Sequence, residues 1–249
     1  VHYGGGVGAL DEIYAFADKH GLRVIEDAAH AFGTKYQGKR IGGFGDVACF
    51  SFDGIKNITS GEGGCIVTDD AEILQKVRDA RLLGVERDTE KRFSGRRSWE
   101  FDVTTQGWRY HMSNIMAAIG LEQLKKFQDM AKKRQRLAMQ YDKFFLDTKI
   151  ITIKHDYEKV VPHIYVIQVN ELIEKRAIQE RMHKGGIQIG FHYKPNHTLS
   201  MFSDKNAESL PITDRVFPSL ITLPLNIDMS SEDINKVVSC LKGNANYFV

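Results

Sequence analysis

Leu22-Arg-Val-Ile-Glu26-Asp27-Ala-Ala-His30 joins an apolar run, Leu22 to Ile25, to a cluster of acidic and polar residues. It reads as a buried β-strand that ends in chemically capable side chains. Asp46-Val-Ala-Cys-Phe-Ser51-Phe reads as a second strand and Gly64-Cys-Ile-Val-Thr68 as a third. Helical patterns alternate with them. Leu10, Ile13, Tyr14 and Ala17 share one face of a helix running to His20, and Gly21 is placed to stop it. Asp69-Asp70 caps a helix running through Glu72 to Leu82. The alternation predicts an α/β domain around a mostly parallel sheet, largely buried on both faces and flanked by helices.

Farther along, Val85 to Asp102 is charged and irregular and reads as a loop. Ser113 to about Phe145 keeps helical spacing as one long or broken helix linking two domains. Strand-like Tyr165-Val-Ile-Gln-Val169, a helix near Lys175 to Lys184 and a last helix at Glu232 to Leu241 predict a smaller C-terminal α+β domain. We place the larger domain at residues 1–135 and the smaller one at 136–249.

Bulk properties exclude several classes. The 249 residues are 42% hydrophobic, enough for ample core, and 34 Lys and Arg against 32 Asp and Glu leave a net charge of +2. That balance carries no nucleic-acid footprint and no preference for a membrane surface. The basic residues Lys125, Lys126, Lys132, Lys133, Arg134 and Arg136 read as a solvated helix face, with Leu124, Phe127, Leu137, Tyr141 and Phe144 on other faces. Cys49, Cys65 and Cys240 are too scattered for a disulfide framework or a zinc site. His192 and His197 lie five apart with Pro195 between them and no acid or cysteine cluster to complete a metal site. No signal peptide and no apolar run near 18 residues is present, so the expectation is a reduced cytoplasmic protein. The chain opens on Val1-His2-Tyr3, like the tail of a strand, and is expected to be an N-terminally incomplete piece of a longer protein.

Lys56 carries the strongest chemical signal. It sits in Ser51-Phe-Asp-Gly-Ile-Lys56-Asn between two apolar β-type segments, and Thr59, Ser60, Gly61, Gly63 and Gly64 leave room for a bulky ligand. Such a lysine can attack a carbonyl carbon and form a Schiff base. It then needs an acid to keep a cofactor's ring nitrogen protonated. Asp27 stands at the strand end where open α/β sheets bind ligands, and is the residue for that task. Taken by residue type alone, Lys56 is a solvated charge and Asp27 a cap or salt-bridge partner. Gly4-Gly-Gly-Val-Gly-Ala9 offers a competing pattern, a Rossmann-type nucleotide-binding turn of an oxidoreductase, with Glu26 as its acid.

Several motifs occur in the order found in one family. They are Val-Ile-Glu-Asp27-Ala-Ala-His30, Gly45-Asp-Val-Ala-Cys-Phe-Ser51-Phe, Lys56-Asn through Gly64, Gly107-Trp-Arg109-Tyr-His-Met-Ser113-Asn, Gly186-Ile-Gln-Ile-Gly-Phe-His192-Tyr-Lys-Pro and Leu223-Pro-Leu225. Over almost its whole length the chain resembles the DegT/StrS-type nucleotide-sugar aminotransferases, which use pyridoxal 5′-phosphate (PLP) on the type I aminotransferase fold. The resemblance implies that Lys56 holds PLP covalently and later shuttles a proton. It assigns Asp27 to the ring nitrogen, His30 to the neighbourhood of the ring's phenolic oxygen and Ser51 to the phosphate. Relatives that dehydrate sugars carry histidine at the lysine position, so Lys56 favours transamination. The Gly107–Met112 loop corresponds to one that reaches the active site of the other subunit. The family's usual Asn-Tyr-Arg is changed there: Arg109 stands in place of the asparagine that touches phosphate, and His111 in place of the arginine. Arginine can also clamp phosphate.

The implied activity is transfer of an amino group from an amino acid such as glutamate to a keto-sugar nucleotide, in amino-sugar and polysaccharide biosynthesis, by a homodimer with shared active sites. In the family a Ser-Gly-Thr turn and an aromatic residue that covers the ring precede the point where this chain starts. The alternative to the enzyme is therefore a non-catalytic truncated fragment of one.

Overall fold

The computed structural model describes residues 1–86, 94–95, 101–169, 172–202 and 210–242. Most of the expected loop from Val85 to Asp102 lies outside the described residues. The chain divides into two compact units, Val1–Tyr3 with Val7–Phe127, and Gly4–Gly6 with Gln128–Val249.

In the first unit, helix α1 (Leu10–Lys19) buries Leu10 and Ala17 and leaves Ile13 and Phe16 exposed. The buried stripe is thus narrower than the sequence spacing predicts. Gly21, at φ +62°, ends the helix as anticipated. Strand β1 is only Ile25–Asp27, shorter than the apolar run, and pairs in parallel with β4 (Val47–Ser51). The intervening chain forms a small hairpin, β2 (Lys35–Tyr36) and β3 (Lys39–Arg40), turned by Gln37 and Gly38 at positive φ. Strand β5 (Gly64–Thr68) runs antiparallel to β4, because residues 52–63 fold straight back instead of crossing over. The described sheet, in the order β1-β4-β5, is therefore mixed. It is also not covered throughout: Ile25, Ile66 and Val67 are exposed. Its core gathers Leu10, Ala28, Ala31, Ile41, Ala48 and Phe50. Phe32 meets Phe50, Phe52 and Phe127 edge-on, with centroids 4.9–5.8 Å apart, a geometry that aromatic rings favour. Helix α2 (Ala71–Ala80) starts at Asp70, whose Oδ1 accepts from the Glu72 and Ile73 amides at 2.9 and 3.1 Å.

Helix α3 (Asn114–Phe145) is unbroken. Ser113 Oγ accepts from the Met116 amide at 3.3 Å and begins it. Phe127 is buried within the first unit, and Ala131, Leu137, Ala138, Tyr141 and Phe145 within the second. That second unit holds an antiparallel sheet in the order β6 (Ile151–Thr152), β7 (Tyr165–Gln168) and β8 (Leu220–Leu223). Helices α4 (Leu172–Lys184), α5 (Pro211–Val216) and α6 (Ser231–Lys242) complete it. Helix α6 opens on a reciprocal cap between Ser230 and Asp233 and buries Ile234, Val237, Val238 and Leu241 at the i, i+3, i+4, i+7 spacing of one face.

One residue overturns its sequence reading. Arg134 is not on a solvated face but is 5% exposed. Its Nη1 donates to the carbonyls of His163 (3.2 Å) and Leu225 (3.1 Å), tying together two loops of the second unit. Burial pushes its guanidinium down to about 10, so it remains charged at neutral pH. Its neighbours in the basic run gave no hint, because local composition does not report which turn of a long helix lies under a loop. Arg134→Leu leaves both carbonyls without this donor and is expected to cost about 3 kcal/mol of stability. Urea unfolding measures it, and a loss under about 0.5 kcal/mol would assign the clamp no energetic role.

Candidate active site

The site is built from the C-terminal ends of two parallel strands. Ile25 pairs with Val47, Glu26 with Ala48 and Asp27 with Cys49. Side chains alternate along a strand, so Asp27, Cys49 and Ser51 share one face while Glu26, Ala48 and Phe50 share the other. The latter three are buried, and Asp27 is exposed. The Ala28 amide donates to the Cys49 carbonyl at 2.9 Å, which extends the ladder one step past β1. Asp27 Oδ1 accepts from the Ala29 amide at 3.0 Å and turns the chain away from the sheet. Burial, and then the Asp27 carboxylate, push the Cys49 thiol up. His30 follows in this turn, buried, with its ring 6.3 Å from that of Tyr3.

Ser51 ends β4, and its Oγ accepts from the Asp53 amide at 3.4 Å. The following loop is closed at its base by Phe52. The Phe52 amide donates to Gly63, and the Phe52 carbonyl accepts from the Ser60 amide and from Thr59 Oγ1. Within the loop, Asp53 Oδ1 accepts from the Ile55 amide at 3.0 Å, and the Asp53 carbonyl accepts from the Lys56 amide at 3.1 Å. Lys56 is thereby carried on a defined turn and is half-buried. The residues that hold it, Asp53, Thr59 and Ser60, were not singled out as such from the sequence. The Asp53-Gly54 pair is the turn signal that could have found the first of them.

Behind β1, on its buried face, lies a polar network that the sequence reading missed. Both Glu26 oxygens are bonded: Oε2 to His2 Nε2 at 2.7 Å, and Oε1 to the Tyr14 hydroxyl at 2.6 Å. The Tyr14 oxygen also accepts from the Asp46 amide at 3.3 Å. Burial alone would raise the Glu26 carboxyl, but the bonds from His2 and Tyr14 outweigh it and hold it below the usual carboxylate range. Burial, then the bond to Glu26, push the Tyr14 hydroxyl up to about 12.

Arg109 is exposed and sits elsewhere in the first unit. Its loop is stitched to the chain after α2: Trp108 N–H donates to Ala80, Leu83 N–H to Trp108 and Tyr110 N–H to Arg81, at 2.7–2.9 Å. The crossing is possible because Gly107 and Gly84 meet backbone to backbone; a Cβ on Gly107 would lie 1.9 Å from the Gly84 nitrogen. Arg109 lines a groove of about 870 Å³ with Cys49, Gly64, Ile66, Leu74 and Met112. Asp27, His30, Ser51 and Lys56 are not among its lining residues. Of the five expected site residues, Asp27, His30, Ser51 and Lys56 thus belong to the β1 and β4 ends and the loops that follow; Arg109 lies on the stretch joined to the chain after α2, in a groove that reaches Cys49, the register partner of Asp27.

The donor set at those strand ends fits PLP. It comprises a carboxylate for a ring nitrogen, a primary amine for a carbonyl carbon, and a hydroxyl beside glycine-rich backbone for a phosphate. The competing turn fits less well. Gly5 is pressed against the Val161 carbonyl, where a Cβ would come within 2.3 Å, so its backbone is not open to a phosphate. Among the described residues no group of three or more His, Cys, Asp or Glu could hold a metal ion. His192 Nδ1 lies 2.8 Å from Thr222 Oγ1, and His197 Nε2 lies 2.7 Å from Asp214 Oδ1. No helix among the described residues is long and apolar enough to cross a membrane.

Similarity to known proteins extends over nearly the whole chain. The sequence model of the DegT/DnrJ/EryC1/StrS aminotransferase family matches residues 1–242. The spore coat polysaccharide biosynthesis protein SpsC of Bacillus subtilis is 34% identical over 97% of this chain and 64% of its own length. Among solved structures, Helicobacter pylori PseC, an aminotransferase in pseudaminic acid biosynthesis, superposes with a TM-score of 0.86. It is 29% identical, over 96% of this chain and 64% of its own. The PLP form of Spr1654 from Streptococcus pneumoniae gives 0.87 at 27% identity, over 97% and 66%. The chain therefore spans less than two thirds of the length of SpsC and of PseC.

The Tyr14–Glu26 bond makes a pH prediction. A folded-state value near 12 against about 10 for a free tyrosine means that the stabilisation is fully present below about pH 10. It is lost as pH rises from about 10 towards about 12. Tyr14→Phe should be less stable than the parent at neutral pH and should lose less stability over that alkaline window. Urea melts at a series of pH values decide it, and parallel curves would remove Tyr14 from the alkaline transition.

Proposed function

Since this chain belongs to the DegT/DnrJ/EryC1/StrS aminotransferase family, we propose that it carries most of a PLP-dependent aminotransferase acting on a keto-sugar nucleotide, with an amino acid such as glutamate as donor. The observation that supports this most is the meeting of Asp27 and Ser51 on one face of adjacent parallel strands, with the Lys56 loop directly after Ser51. In this reading residues 1–135 form the cofactor-binding large domain and residues 136–249 the small domain.

Each residue then has a task. Lys56 Nζ would hold the cofactor covalently and, as a free amine, would move a proton at the substrate carbon. Asp27 keeps the ring nitrogen protonated. His30 fixes the ring from the same turn, and the Ser51 hydroxyl binds phosphate. Bound PLP supplies an electron sink for the carbanion formed at the substrate carbon. The exposed Arg109, with exposed Trp108, Tyr110, Ile115 and Ile119 on the same stretch of chain, is suited to a contact with a second copy. That favours a homodimer in which Arg109 contributes to the partner's phosphate site. A sugar acceptor is favoured by the roles of SpsC in spore coat polysaccharide biosynthesis and of PseC in pseudaminic acid biosynthesis. The balanced charge favours a protein without nucleic-acid or membrane-surface partners, and the three scattered cysteines favour a reduced, cytoplasmic one.

The test is cofactor uptake followed by borohydride reduction and peptide mapping. The expected outcome is a pyridoxyl adduct on Lys56, with Lys56→Ala taking none and lowering amino transfer by about 10³-fold or more. An adduct on another lysine would sink the assignment, and a keto-sugar nucleotide panel yielding no aminated product would sink the substrate class.

A further inference from the structure

Strand β1 has three residues, and Asp27 is its last. So short a ladder fixes register weakly, and a slip by one residue would turn Asp27 into the core. Glu26 opposes that slip. It is 3% exposed, on the face opposite Asp27, with each oxygen bonded to a different part of the first unit. Tyr14 joins it to α1 and, through the Asp46 amide, to the entry of β4. His2 joins it to the outer edge of β1, because the His2 amide also donates to the Asp27 carbonyl at 2.9 Å. One residue thus grips the strand at two consecutive positions. An aliphatic residue would be cheaper to bury at position 26, but it would not define an orientation.

We propose that Glu26 is a positioning residue for Asp27: its carboxylate, held between His2 and Tyr14, locks β1 in the register and orientation that present Asp27 on the open face. This rests on the cofactor role given to Asp27 above. Glu26 touches neither substrate nor cofactor in this account and acts only through its neighbour.

Two readouts test it on the chain as it stands: hydrogen exchange at the Ala28 and Ala29 amides, and PLP affinity by absorbance titration. Glu26→Gln is expected to speed exchange at both amides while leaving the β4–β5 ladder protected, and to weaken PLP about tenfold. Tyr14→Phe, the milder change, should move both readouts in the same direction, and it carries the test if Glu26→Gln does not fold. In an Asp27→Asn background, Glu26→Gln should weaken PLP no further, because the two residues act in series. Unchanged exchange at Ala28 and Ala29, or an equal PLP loss with and without Asp27, would overturn the proposal. Asp27→Asn binding PLP like the parent would instead sink the cofactor role, and a parent that takes up none would favour the non-catalytic truncated fragment; in both cases the exchange data still decide whether Glu26 holds the strand.

Discussion

The parallel pairing of β1 with β4 is the constraint on which the first unit depends. Parallel neighbours deliver their C-terminal ends to the same edge, so two segments far apart in sequence end side by side. The Ala28 amide then bonds beyond the strand to Cys49, which keeps the exit of β1 against β4 as the chain turns. Were the pair antiparallel, Asp27 and Ser51 would lie at opposite edges.

That pairing is secured from behind by two different means. Apolar packing supplies most of the burial, with Phe32 wedged among Phe50, Phe52 and Phe127. Packing of this kind is tolerant of small shifts, since dispersion contacts have no strong direction. Hydrogen bonds to a buried carboxylate do have direction, and Glu26 adds them on the strand that carries Asp27.

The second unit shows the same division of labour in a different setting. Its aliphatic and aromatic core surrounds the antiparallel sheet, and a single buried guanidinium, Arg134, sets the path of two loops. In each unit a buried ionic group, Glu26 or Arg134, bonds to two segments distant in sequence. A charge buried with its partners intact costs more than a hydrophobe, but it penalises every arrangement that leaves it unbonded.

Local pattern along the chain determined the elements that depend on local physics. Helix α2 begins at its capping Asp70, α6 follows its i, i+3, i+4 stripe, and β5 matches the apolar run from Gly64 to Thr68 residue for residue. The order of the motifs around Asp27, Ser51 and Lys56 was legible for the same reason, since strand ends and turns are written in adjacent residues. Tertiary structure alone decided what depends on partners distant in sequence. It shortened β1 to the residues that β4 can pair and reversed β5. It buried Arg134 beneath loops that begin about 30 and about 90 residues later. It also brought His2, Tyr14 and Glu26 together from three separate segments. No sequence window contains such a contact, because its energy comes from desolvation and geometry that exist only once the chain has folded.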